Sequence, residues 1–331
     1  MSYATARAIA VEEIPVVDIA GIVAGDPDAS LRAAHAMRAA SERIGFFYVS
    51  GHGLPEDVSS AAFAAAAEFF ALGVEAKRGI AVNARHRGWI GTGGAKMYSG
   101  ARPDLKESFV YGIELPEDDP DVVAGTPLMG PNQWPDSCPA LRTAAYPYFE
   151  GVMRVGHAVL RGLALSLGRP ADFFVTRYDR PLARGSLIWY PPQPPELGET
   201  QFGVAPHTDY GGVTLLQQDA TGGLQVLASG GEWVTAHPIP GTFVVNIGDL
   251  MHRWTNNRFR SNPHRVVNTA GHARQSAALF FDPGFHTIID PRDLLDDPAD
   301  AKHAPIGCGE YLLGRFNKAF AHRQPSEGAK S

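Results

Sequence analysis

From about residue 185 to residue 282 the sequence is built of short β-branched and aromatic runs broken by Gly, Asn, Asp and Pro. The runs fall at 185–190, 202–208, 212–218, 223–228, 232–236, 242–248, 264–269 and 275–282. Ser229-Gly230-Gly231 and Thr255-Asn256-Asn257 are typical of the punctuation between them. About eight short strands at this spacing, joined by turn residues, specify a β-sandwich or jelly roll. No other feature of the chain restricts its fold as much.

The first half has a different texture. Residues 14–18 read as a short entering strand, and 45–50 as a buried strand ending at Gly51-His52-Gly53. Alanine-rich helices are expected over about 30–43, capped by Asp28 or Ser30 with Leu31, Ala34 and Met37 at helical spacing, and over 56–71, with Phe63, Phe69 and Phe70 toward the core. A long helix from Pro139 to Ser166 carries a broad apolar stripe through Leu141, Phe149, Val152, Val159 and Leu163, suited to packing along a sheet. Pro170 suits the first turn of a short helix. Residues 78–135 read as loops and short elements, and Gly309 to Ala321 as one amphipathic helix. Helices preceding strands, rather than alternating with them, put the chain in the α+β class.

Charge and cysteine content exclude several roles. The 331 residues hold 29 Lys and Arg against 35 Asp and Glu, a net charge of −6 with no long basic run, so nucleic acid is not the expected partner. Cys138 and Cys308 have no paired metal-type spacing and read as reduced thiols. No basic leader precedes an apolar core at the N-terminus, and no apolar run reaches the ~20 residues of a membrane span, so the expected location is the cytoplasm.

Chemistry concentrates in Pro206-His207-Thr208-Asp209-Tyr210. If 205–210 is a strand, His207 and Asp209 share a face, and Thr208 points away from it. His264 follows 55 residues beyond Asp209. Two imidazoles and one carboxylate are the donors of the facial triad of non-haem Fe(II) oxygenases. If 264–269 and 275–282 are adjacent antiparallel strands, Arg274 and Ser276 present a guanidinium and a hydroxyl on one face, a combination suited to a carboxylate. Asp249 in Gly248-Asp249-Leu250 is expected to support a turn, and His252 is the other nearby metal-binding side chain. Tyr98, Arg102 and Lys106 are candidates for a pocket wall, with a solvated loop as the plainer reading of each.

Together these segments resemble the Fe(II)/2-oxoglutarate-dependent dioxygenases, in their isopenicillin N synthase-like branch. The resemblance rests on Ile14-Pro15-Val16-Val17-Asp18, Gly45-Phe46-Phe47-Tyr48-Val49, Gly130-Pro131-Asn132-Gln133-Trp134-Pro135, His207-Thr208-Asp209-Tyr210-Gly211-Gly212, Asn246-Ile247-Gly248-Asp249-Leu250, Ser261-Asn262-Pro263-His264-Arg265-Val266 and Arg274-Gln275-Ser276. It implies a distorted double-stranded β-helix (a jelly roll) with N-terminal and flanking helices. Its regions would be 1–180, an N-terminal part with substrate-side loops; 181–290, the Fe(II)/2-oxoglutarate core; and 291–331, a helix and tail.

The resemblance implies that His207, Asp209 and His264 hold Fe(II). Arg274, Ser276 and Tyr190 would serve 2-oxoglutarate, and dioxygen would be the oxidant. The family's Asn-x-Tyr element appears as Ile188-Trp189-Tyr190, so one hydrogen bond is missing. Phe280 returns to the face of Ser276 and would either border a small-molecule substrate or pack in the core. The implied reaction oxidises a substrate C–H, most simply by hydroxylation, with release of succinate and CO2. Three alternatives remain at this stage: an isopenicillin N synthase-like oxidase that consumes no 2-oxoglutarate, an ethylene-forming enzyme, and a non-redox metal-binding jelly roll. One sequence identifies neither the substrate nor the oligomeric state.

Overall fold

The computed structural model describes residues 6–8, 14–94, 102–193, 200–320 and 323. Among the described residues two sheets carry the fold. The larger has eight strands: β2 (Val16–Asp18), β3 (Phe46–Ser50), β4 (Gly88–Ile90), β5 (Glu107–Gly112), β6 (Arg184–Tyr190), β8 (Val213–Gln218), β11 (Phe243–Ile247) and β13 (Arg274–Phe281), in the order β2-β3-β11-β8-β13-β6-β5-β4. The smaller has five: β1 (Arg7–Ala8), β7 (Val204–His207), β9 (Leu224–Leu227), β10 (Trp233–Thr235) and β12 (His264–Val266), in the order β1-β10-β9-β12-β7. A separate pair, β14 (Ile288–Ile289) and β15 (Ile306–Gly307), follows the core. The longer helices are α2 (Pro27–Arg43), α3 (Glu56–Ala71), α6 (Pro139–Ser166) and α8 (Cys308–Ala319). Short ones are α1 (Ala20–Ala24), α4 (Val74–Arg78), α5 (Pro120–Val123) and α7 (Asp249–Trp254). The class is α+β around a jelly-roll core, as expected.

Alternation along the strands sorts side chains into two cores. On one face of the large sheet, Phe47, Val49, Leu187, Leu215, Val245, Leu279 and Phe281 pack with the apolar sides of α2, α3 and α6. On the other, Phe46, Tyr48, Ile188, Tyr190, Val244 and Ala278 meet Val204, Leu224, Val226 and Val266 of the small sheet. The polar residues of the site open from this second, smaller interior.

The elements depart from the sequence reading in a few places. Helix α2 starts earlier than expected: Pro27 fills its first turn, and Asp26, not Asp28 or Ser30, caps it by accepting from Ala29 N at 3.0 Å. Leu31 is exposed, because Ala33, Ala34 and Met37 supply the buried stripe. The segment after Pro170 forms only a 3-10 turn at Val175–Arg177. Within 78–135, read as loops, β5 is a full strand paired along β6. Strands β12 and β13 are not neighbours. β12 pairs with β7 and β9 while β13 pairs with β6 and β8, so the chain crosses between sheets at 270–272. Arg274 and Ser276 still share a face, because they lie two residues apart on one strand.

Candidate metal centre and its two cavities

His207 and His264 are direct partners across β7 and β12. Their rings lie 4.3 Å apart between centroids. Asp209 reaches them from outside the strand, since β7 ends at His207. The expected 205–210 strand is therefore too long, and Thr208 lines the same cavity as His207 and Asp209 instead of facing away.

The turn carrying Asp209 docks on the start of α7. Asp249 N donates to the Asp209 carbonyl at 2.8 Å, and Leu250 N to the Gly211 carbonyl at 3.0 Å. Two glycines permit this approach: a Cβ on Gly211 would lie 1.6 Å from Asp282 Oδ1, and one on Gly248 would lie 2.3 Å from the Gly211 carbonyl. Asp249 thus supports the turn as expected, and its carboxylate accepts from Ser261 Oγ at 2.7 Å. His252 Nδ1 donates to the Phe259 carbonyl, away from the triad.

Asp209 Oδ1 stands 3.7 Å from His207 Nε2 and 3.8 Å from His264 Nε2. Among the described residues these three side chains alone cluster so that a metal would fit, with ligand atoms all within 4.8 Å of one another. Each imidazole turns Nδ1 toward a carbonyl, of Ala205 at 2.8 Å and of Asn262 at 3.3 Å, which leaves Nε2 as the lone-pair donor. Burial, then His264, push His207 down to about 3, so it is neutral at physiological pH. Burial works to raise the Asp209 carboxyl. The neighbouring imidazoles and the hydrogen bonds it accepts outweigh this and hold it below the ordinary carboxylate value.

Sequence reasoning missed two residues that aim this carboxylate. Thr214 Oγ1 and Asn246 Nδ2 both donate to Asp209 Oδ2 at 2.7 Å, leaving Oδ1 for a metal. Asn246 was visible as a polar residue inside the apolar run Phe243-Val244-Val245-Asn246-Ile247. Thr214 resembles any strand threonine.

Two cavities meet at the triad. The first, about 70 Å³, is lined by His207, Asp209, His264, Tyr190, Val204, Val266 and Arg274. Arg274 is fully buried, with Tyr190 4.4 Å beneath its guanidinium. It donates to the Gly222 carbonyl, to Gln218 Oε1 at 3.1 Å and to Ser276 Oγ at 3.4 Å. All three acceptors are neutral, and no ion pair to a described carboxylate accompanies them. A buried guanidinium without a counter-ion is costly, so the cavity is electrostatically suited to a carboxylate.

The second cavity, about 100 Å³, is lined by His207, Asp209, Tyr210, Arg184, Phe280, Phe316 and Phe320, among others. Lys106, Ile188 and Phe280 wall both cavities. Ile188, in the asparagine's place, is therefore an apolar partition. Lys106 departs from the solvated-loop reading. It pairs with Asp104 at 3.4 Å, and Asp104 accepts from Ala205 N at 3.1 Å, which anchors this lysine beside the histidine strand. Arg102 is exposed, and Tyr98 lies outside the described residues.

Residues 14–137 match the family model described as the N-terminal part of non-haem dioxygenases in morphine synthesis, and residues 170–283 match the 2OG-Fe(II) oxygenase superfamily. The chain belongs to the 2-oxoglutarate-Fe(II) oxygenase superfamily. Its cofactor is Fe(II), with 2-oxoglutarate and dioxygen as co-substrates.

Among similar members of the superfamily is the 2-oxoglutarate-Fe(II) type oxidoreductase hxnY of Emericella nidulans, 36% identical over 94% of this chain and 91% of that protein. Homoarginine-6-hydroxylase 2-ODD-C23 of Glycine max is 34% identical over 93% and 97%. A full-length Neurospora crassa protein, solved in complex with alpha-KG, superposes with a TM-score of 0.81, at 30% identity and coverage of 91% and 95%. A 2OG-Fe(II) oxygenase family protein of Caulobacter crescentus gives 0.80, at 31% identity and coverage of 92% and 98%. Among the described residues of this superfamily member, no helix is long and apolar enough to cross a membrane.

Proposed function

We propose that this oxygenase hydroxylates a small-molecule substrate in the cytoplasm, and that it uses His207, Asp209 and His264 to hold Fe(II). In the net reaction a substrate C–H becomes C–OH. One oxygen atom of dioxygen enters the product and the other enters succinate, while CO2 leaves. Bound Fe(II) would supply the redox chemistry that joins dioxygen to 2-oxoglutarate breakdown. Arg274 and Ser276 bind the distal carboxylate of 2-oxoglutarate in the smaller cavity, over the face of Tyr190. Phe280 borders the substrate in the larger one. Residues 1–180 and 291–331 serve as the surround of the 181–290 core: the second cavity draws Lys106 from the first and Phe316 from the last.

The observation that carries this reading is Arg274, buried without a carboxylate partner among the described residues in a cavity that reaches the triad. The separate second cavity favours 2-oxoglutarate use over an oxidase whose substrate occupies the Arg274 site, because each ligand has its own space. The test is stoichiometric. Hydroxylation requires one succinate per dioxygen consumed and an oxygenated product. Oxygen consumption without 2-oxoglutarate would refute the reading, and ethylene release would redirect it to the ethylene-forming variant.

A further inference from the structure

The second cavity holds a guanidinium that the reaction described above does not use. Arg184 lies across the large sheet from the triad's supports: Asn246, Thr214, Phe280, Arg184 and Gly112 are successive partners on β11, β8, β13, β6 and β5. At about 4.8 Å per strand, the Arg184 backbone is roughly 10 Å from that of Thr214, whose hydroxyl holds Asp209. Its guanidinium is 4.4 Å from the Phe316 ring centroid and 5.1 Å from that of Phe280. The residue is 6% exposed.

A structural arginine spends its donors on the protein. Arg87 donates to the carbonyls of Arg85, His86 and Leu128. Among the described residues Arg184 makes one bond, from Nη2 to Asp282 Oδ2 at 3.0 Å; the buried Nε of both arginines lacks a partner there, so the two differ at their terminal nitrogens, where Arg87 donates three times and Arg184 once. Positive charge is also in excess there. The Arg87 guanidinium packs so close to Gly112, the strand partner of Arg184, that a Cβ would stand 2.4 Å from Nη2. Arg323 donates to the Ala84 carbonyl in the loop that carries Arg87. Among the described residues, Asp282 is the one carboxylate bonded to any of these three arginines. Nearby Glu114 spends its oxygens on Asn132 and Trp134.

We propose that the primary substrate is a carboxylic acid with an apolar or aromatic body, and that Arg184 binds its carboxylate in the second cavity. Phe280 and Phe316 flank the guanidinium and contact the apolar body, while the end nearer Asp209 presents the C–H to be oxidised. Two buried arginines then serve two acids, Arg274 the co-substrate and Arg184 the substrate. This inference rests on the proposed function and narrows its substrate class.

The test uses Fe(II)-loaded full-length protein under anaerobic conditions, with 2-oxoglutarate saturating so that Arg274 is already occupied. Benzoate, phenylacetate, cinnamate and hexanoate are each titrated by calorimetry beside their primary amides. At least one acid is expected to bind about tenfold or more tightly than its amide, as a charge-assisted hydrogen bond requires. In Arg184→Gln the preference should fall to within about twofold. Because Arg184→Gln leaves Asp282 buried alone, the double variant Arg184→Met/Asp282→Asn, which removes both charges, provides the same comparison. Amides binding as well as acids, no acid binding, or a preference that survives in both variants would each overturn the inference. Wild type that fails to bind 2-oxoglutarate would remove the proposed function and this inference together. Binding of 2-oxoglutarate without an acid preference would remove the inference alone.

Discussion

Replacing Thr214 by valine removes one hydroxyl and almost nothing else, since the two side chains match in shape. That hydroxyl donates to Asp209 Oδ2 at 2.7 Å, and Asn246 donates to the same oxygen at the same distance. With both bonds present the carboxylate cannot rotate, and Oδ1 is held toward the two Nε2 atoms. Each is a hydrogen bond to a charged acceptor in a buried setting, worth about 1.5–3 kcal/mol. Thr214→Val loses one of the two, and Asn246 recovers part of that loss where it takes over the freed lone pair. The remainder corresponds to a roughly 10–100-fold loss of metal affinity, the usual range for groups that orient a ligand. The assay is calorimetric titration of Fe(II), or Mn(II) in its place, into wild type and Thr214→Val, with thermal unfolding of the metal-free proteins as the control. An affinity within about threefold of wild type, at equal stability, would show that Asp209 needs no such support.

Arg274→Gln should weaken 2-oxoglutarate binding by about 100-fold, through loss of two charge-assisted bonds, while metal binding without 2-oxoglutarate stays near wild type; titrating both ligands checks this. Gly211→Ala would place a methyl where Asp282 Oδ1 stands, so metal binding should be lost even where circular dichroism shows a folded protein. Asp282→Asn leaves the buried Arg184 charge without its partner and should destabilise the fold by about 3–5 kcal/mol, read in denaturant unfolding. His157 packs edge-on against Phe281, and burial, then Arg161, lower its pKa below the ordinary 6.5. The unfolded chain therefore takes up the proton first. Stability contributed by neutral His157 is present above pH 6.5 and declines as the pH falls below it. His157→Leu should flatten that part of the pH dependence of the thermal midpoint, and an unchanged slope would assign it to another group.

What could be read from the chain depended on how far each signal is local. Strand runs and the long helix were legible because alternation and the 3.6 period act over neighbouring residues. His207, Asp209 and His264 were legible through their resemblance to a known triad, but the reason they converge was not. Asp209 sits past the end of β7, and it is the docking of its turn on α7, 40 residues later in the sequence, that presents it to the histidines. Arg274 and Ser276 were placed on one face by a correct period and an incorrect strand partner, an error that two-residue spacing tolerates. Lys106 was legible only as one of three pocket-wall candidates, with a solvated loop as the plainer reading, and Arg184 was out of reach for a different reason. The burial of Arg184 depends on β6 pairing between β13 and β5 and on Phe316 of α8 packing against its guanidinium, and no local pattern records either event.

In the proposed function the triad and Arg274 together bind Fe(II) and 2-oxoglutarate, and every later step depends on that joint site. Anaerobic addition of 2-oxoglutarate to the Fe(II)-loaded protein measures it directly, through the weak visible charge-transfer band of the chelate. The band should appear in wild type, require more 2-oxoglutarate in Arg274→Gln, and be absent when His207, Asp209 or His264 is alanine. A band that persists in those three alanine variants, or that never forms in wild type, would contradict the assignment.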